Sequence, residues 1–169
     1  MRETLQYLAR LRESGVIGDY AVGGAMAATF YIEPISTFDL DVFVVLPQPP
    51  GNLLVTLTPL YNHLRAAGFR EDKECVVIAG IPVQFLPVFN PLVGEALANA
   101  VEMDYEGVKV SVFSAEHLAA IALQTGRGKD IARIQSFIES GVLDTEKLTD
   151  ILTRHGLEEK WKNLTSTLL

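Results

Sequence analysis

Two aspartates one residue apart, Asp39 and Asp41, lead into the apolar run Val42, Phe43, Val44, Val45 and Leu46. Five β-formers in a row read as a buried strand. Strand side chains alternate, so both carboxylates project from one face with Cα atoms ~6.6 Å apart, while Leu40 and Val42 point the other way. Two like charges on a largely buried strand are costly unless a cation or hydrogen-bond donors compensate them. Carboxylate oxygens suit Mg²⁺ or Mn²⁺. Taken alone, Asp-Leu-Asp reads more simply as two solvated carboxylates at a frayed strand end. The Gly23-Gly24 pair shifts the balance, because it stands between a strand and a helix start, where bare backbone N–H groups can approach a phosphate. Together the two pieces form a candidate site for a metal-bound nucleotide.

The elements that must position these groups are set by periodicity. Leu5, Leu8 and Leu11 share a helix face, and Gly15 and Gly18 come after that helix. Tyr20, Ala21 and Val22 form a strand, and the small residues Ala25 to Ala28 form a helix that Pro34 stops. Pro47 to Asn52 is a loop. The next helix starts either at Pro59 under a Thr58 cap or with a kinked earlier turn. It buries Leu60, Leu64 and Ala67. Glu74 to Ile78 and Ile81 to Phe85 read as a hairpin around Ala79-Gly80, with Gln84 the one polar residue from Ile81 to Val88. Gln84 is either a core amide bonded to backbone or a group facing the same site as the aspartates. A helix from Leu92 to Ala100 and a second hairpin turning at Glu106-Gly107 come next. Ser114 caps a helix with Glu116 in its first turn, and Gly126-Arg127-Gly128 interrupts the helical pattern after Thr125. From there on the chain reads as helices alone. The order is α+β, with a core over residues 1–113 and a helical C-terminal part over 114–169.

The totals narrow the function. A chain of 169 residues, about half of them hydrophobic, can bury a real core. A net charge of −7 argues against an extended duplex-DNA surface, which needs a basic footprint. Cys75 is the sole cysteine, which excludes an intrachain disulfide and a Cys-based zinc cage; it reads as a small buried hydrophobe. No run approaches the roughly 18 apolar residues of a membrane span, and the opening stretch carries both signs of charge, unlike a secretion signal. The expectation is a soluble, cytoplasmic protein. His63, His117 and His155 show no ligand spacing and read as surface or packing residues.

Gly23-Gly24 followed by Ser-Thr-Phe-Asp-Leu-Asp from Ser36 to Asp41 resembles the nucleotidyltransferase superfamily related to DNA polymerase β. The wording T-x-D-L-D is most similar to the minimal nucleotidyltransferases and the AbiEii-type toxin group. Arg-Gly-Lys-Asp from Arg127 to Asp130 is similar to the Lys-Asp element those proteins carry at a C-terminal helix start. The resemblance implies a nucleotidyltransferase-like mixed sheet flanked by helices. Asp39 and Asp41 would be catalytic and hold metal. Gly23, Gly24, Thr37 and Lys129 would bind the nucleotide, and Asp130 would support Lys129 or a substrate. A solvated helix N-terminus is the plain account of Lys129-Asp130.

Two departures stand out. The family's third carboxylate falls at Gln84, an amide that cannot act as a base or bring charge. Its frequent Arg two places before the threonine is Ile35 here. Glu74 and Asp104 are alternative carboxylates that the sequence does not locate. The implied activity is two-metal phosphoryl chemistry that moves an NMP from an NTP to an acceptor hydroxyl, on a small molecule, a protein or an RNA end. The competing readings are a degenerate member that binds a nucleotide or an antitoxin-like partner without turnover, and a scaffold whose motif is accidental.

Overall fold

A computed structural model describes residues 1–33, 37, 39–47 and 56–168. Pro34, Ile35, Ser36 and loop residues 48–52 lie outside these. In chain order the described elements are α1 (Arg2–Glu13), β1 (Tyr20–Val22), α2 (Gly24–Ala28), β2 (Leu40–Val44), α3 (Thr58–Ala66), β3 (Arg70–Asp72), β4 (Cys75–Ile78), β5 (Ile81–Pro87), α4 (Pro91–Ala98), β6 (Val101–Tyr105), β7 (Val108–Val112), α5 (Ala115–Thr125), α6 (Gly128–Glu139), α7 (Thr145–Arg154) and α8 (Glu158–Leu168). This is the α+β class with helices only after β7.

Among the described residues seven strands form one mixed sheet in the order β3-β4-β5-β2-β1-β7-β6. Val42, Phe43 and Val44 of the apolar run supply a central strand, β2, antiparallel to β1 and parallel to β5, while Val45, 44% exposed, and Leu46 lie past its end. Every β2 residue except Asp41 is buried. Its register sets Asp41 opposite Gln84 and Phe43 opposite Leu86. Those four side chains therefore share one face, while Val42, Val83 and Phe85 share the other. On the second face Tyr61 of α3 meets the Phe85 ring edge-on at 6.4 Å. Leu60 and Leu64 are buried beneath it. Burying each leucine is worth roughly 1.5–3 kcal/mol. α1 buries Leu5, Leu8 and Leu11, and its Thr4 hydroxyl donates to the Ile78 carbonyl at 3.0 Å, tying the first helix to β4.

Several sequence expectations change. Asp39 lies just before β2, not within it. Ala67 is exposed because α3 ends at Ala66 and Ala67 is its C-cap. Cys75 is half-buried, at the first position of β4. The strand β3 had no signal: Arg70, Glu71 and Asp72 are all exposed, so no apolar alternation marks them. They form a charged sheet edge, which deters pairing with other chains. Asp72 pairs with Cys75, leaving Lys73 and Glu74 as a two-residue turn in which Lys73 takes φ 57°. Among the described residues no helix is long and apolar enough to cross a membrane.

Candidate active site

The face of the sheet bearing Asp41 opens into a cavity of about 600 Å³, roofed by α5 and α6. Its floor carries Asp39, Asp41, Gln84 and Thr37. Thr37 Oγ1 donates to the Asp39 carbonyl and to Asp39 Oδ1, both at 3.3 Å, which fixes the segment leading into β2. Asp41 sits in the strand ladder. Burial, and then the neighbouring Asp39, push its carboxyl up to about 6, against the opposing pull of Arg133, Lys129 and Arg127. Among the described residues no group donates a hydrogen bond to the Asp41 carboxylate, so its charge is felt through space only.

The glycine pair divides into two tasks. Gly23 N–H donates to the Asp41 carbonyl at 2.9 Å, so it ties α2 to β2 and is already engaged. A Cβ there would lie 2.5 Å from Phe43 Cε2. Gly24 has φ +62°, and a Cβ on it would overlap Asp41 Oδ2. The second glycine is thus required by both backbone conformation and the aspartate it faces. Gly24 lines the cavity and Gly23 does not, which narrows the phosphate contact expected of the pair to Gly24.

A basic wall stands opposite the carboxylates. Gly126 closes α5 in the left-handed conformation, and α6 then begins with Lys129, Asp130 and Arg133 in its first two turns. Asp130 is 1% exposed. It accepts from Arg127 Nε at 2.7 Å and from Arg133 at 3.4 Å, and so aligns both guanidinium groups. The Arg133 side chain is only 11% exposed, and its Nε has no partner among the described residues. Burial pulls its pKa down, while Asp130 and Asp41 oppose that. Sequence reading passed over Arg133. The available signal was its spacing, since Lys129 and Arg133 are four apart on one helix face. A third wall is apolar, with Phe43 and Phe113 rings 4.8 Å apart and Phe89, 63% exposed, at the rim.

The alternative carboxylates are now located. Asp104 is on β6, three strands from β2, and caps its own turn by accepting from Gly107 N at 3.0 Å. Glu74 accepts from Gln84 Nε2 at 3.1 Å. Among the described residues no group of three His, Cys, Asp or Glu side chains could hold a metal ion. The histidines fall elsewhere: His117 and His155 both meet Glu95, and His63 is exposed on α3. Nothing in the sequence joins Glu95 to residues 22 and 60 positions later.

No family model matches the sequence, and no curated protein matches it significantly. Solved structures do resemble the fold. An antigenic nucleotidyltransferase-like protein from Paracoccidioides brasiliensis superimposes with a TM-score of 0.58 at 20% identity, over 99% of this chain and 92% of that one. ANT(2'')-Ia, solved in complex with adenylyl-2''-tobramycin, superimposes with a TM-score of 0.53 at 17% identity, over 95% of this chain and 98% of its own. At such identities the likeness speaks for the fold, which is nucleotidyltransferase-like.

Proposed function

We propose that this chain, with its nucleotidyltransferase-like fold, transfers a nucleoside monophosphate from an NTP to an acceptor hydroxyl with Mg²⁺ or Mn²⁺. The observation that carries the reading is one cavity with Asp39 and Asp41 on its floor and Arg127, Lys129 and Arg133 across from them. The Asp41 carboxylate accepts no hydrogen bond among the described residues, and across from it Arg127 and Arg133 share the one carboxylate of Asp130. Two carboxylates facing three cations suit a ligand that brings both charges, a metal-bound triphosphate.

The donor set fits a hard cation. Two carboxylates and an amide oxygen are oxygen ligands, and the Asp41 carboxyl raised to about 6 marks negative charge awaiting a partner. Bound there, the cation would neutralise phosphate charge as the α-phosphorus is attacked. The remaining work falls to the chain. Lys129, Arg127 and Arg133 would grip phosphate oxygens, with Arg133 held by Asp130. Gly24 N–H and the Thr37 hydroxyl would line the phosphate path, and the wall of Phe43, Phe89 and Phe113 would seat a base or acceptor. The acceptor oxygen would form its bond to the α-phosphorus in line as the bond to pyrophosphate breaks, with the hydroxyl proton passing to solvent, and the chain would contribute by positioning and by opposing charge.

The experiment is incorporation of labelled nucleotide with and without Mg²⁺, comparing wild type with Asp39→Ala combined with Asp41→Ala. Turnover that survives loss of both aspartates would sink the reading. A second reading, binding without turnover, is favoured by one observation: the third position is the uncharged Gln84. The sequence's likeness to the AbiEii-type toxin group adds an antitoxin-like protein as the candidate partner there. Saturable, metal-dependent ATP binding with no turnover on small-molecule, protein or RNA acceptors would select it.

A further inference from the structure

Gln84 stands opposite Asp41 in the parallel β2–β5 ladder, on the cavity floor, with its side chain on the same face. A side-chain amide has two chemically different ends: its nitrogen only donates and its oxygen only accepts. The nitrogen end is taken, because Gln84 Nε2 donates to Glu74 Oε2 at 3.1 Å. An ionised carboxylate accepts only, so Glu74 would repel the amide oxygen and selects this one orientation. Glu74 comes from the tight Lys73-Glu74 turn that β3 and β4 pin in place, so its position is set by the sheet.

We propose that Glu74 is a positioning residue that fixes Gln84 as a neutral oxygen ligand for the cation held by Asp39 and Asp41. This rests on the metal-dependent reading above. Glu74 itself is not a third acidic ligand, since no group of three acids able to hold a metal forms among the described residues. Its charge acts one bond further out, through the amide. The arrangement resolves a local conflict. A third carboxylate at position 84 would place another like charge directly opposite Asp41 in the ladder. An amide oxygen adds a ligand dipole without adding a charge. The floor then carries two negative charges, which one divalent ion neutralises.

The probe is Mn²⁺ alone, titrated into the full chain and followed by the loss of the free-ion paramagnetic resonance signal, with no nucleotide present. Glu74→Gln can present either amide end to Gln84, and Glu74→Ala removes the partner. Both are expected to weaken Mn²⁺ binding about tenfold, the lower end for loss of an outer partner, with the melting temperature unchanged because Glu74 is exposed. Glu74→Asp keeps an accept-only charged group at the turn and leaves Gln84 unchanged. It is expected to recover most of the binding lost in Glu74→Gln and Glu74→Ala, a rescue that a merely structural role would not produce. Mn²⁺ affinity within twofold of wild type in both single Glu74 variants would overturn the inference, provided that Asp39→Ala abolishes binding. Wild type that binds no Mn²⁺, or binding indifferent to Asp39→Ala, would also overturn this inference, while the metal-dependent reading falls separately, if transfer survives without Mg²⁺ or without both aspartates.

Discussion

Asp41 and Glu95 are both partly buried carboxylates near arginines, yet their chemistry is opposite. Glu95, on α4, accepts from Arg154 Nη2 at 2.6 Å, His155 Nε2 at 2.7 Å and His117 Nε2 at 3.2 Å. The Arg154 hydrogen bond above all, helped by the two histidines, holds its carboxyl down at about 2. Asp41 has three cations nearby and a bond from none of them among the described residues, and it rises to about 6. The difference is one of reach. Glu95 gathers side chains from α5, α7 and the α7 C-cap into direct contact and works as a clamp. Asp41 is held away from its cations by an open cavity, and the charge left over is available to a ligand. His117 is consistent with the clamp: burial lowers its pKa, and its Nδ1 lies 2.9 Å from Ser114 Oγ, which also caps α5.

The contrast is sharpest in Asp41→Asn. Nucleotide transfer is expected to fall by roughly a thousandfold, about 4 kcal/mol of transition-state stabilisation. The metal-free protein should nevertheless become more stable at neutral pH. A carboxyl raised from 3.8 to about 6 makes the folded state the better proton binder between those values. Its penalty therefore grows as pH rises through that window and is full above it. Discounted for partial exposure, the gain is about 1–2 kcal/mol. Thermal melts of both proteins at pH 4 and pH 7.5 check this; equal gains at the two values would contradict it.

Gly24→Ala attacks the same site through the backbone. The new Cβ meets the Asp41 carboxylate in a left-handed conformation. We expect transfer to drop about a hundredfold, with about 1–2 kcal/mol of stability lost. Steady-state kinetics beside a denaturant titration separate the two effects.

Glu95→Gln tests the other half of the contrast. It leaves His117, His155 and Arg154 without their shared charged acceptor and should cost about 2 kcal/mol at pH 7 while kcat stays near wild type. A folded-state pKa depressed from 4.5 to about 2 contributes stability above the unfolded value and loses it as pH falls toward 2. The gap between wild type and Glu95→Gln should therefore close in melts taken from pH 5 down to pH 2. A large loss of kcat with no loss of stability would mean that the clamp and the cavity do not divide stability from chemistry.

Arg133→Gln is the smallest expected effect. It should raise the KM for NTP about tenfold, near 1.4 kcal/mol, and leave kcat within a fewfold. Unchanged KM would remove Arg133 from the phosphate wall.

Much of this was legible in the chain. The alternation around Asp39-Leu40-Asp41 and the apolar run behind it determine that a half-exposed aspartate breaks into a buried strand, because a period of two leaves no other placement. The left-handed Gly24, the Ala79-Gly80 and Glu106-Gly107 turns, and the Ser114 cap are equally local: each depends on backbone conformation or on a partner within four residues. Contacts that span the sequence were not legible. The register that sets Asp41 against Gln84, the turn that brings Glu74 to that amide, and the fold that brings Glu95 to His117 and His155 each join residues ten or more positions apart. No periodicity encodes such a meeting. Only the packed sheet decides it, because strand order and register are settled by which apolar faces bury together, and polar side chains then meet where those faces put them.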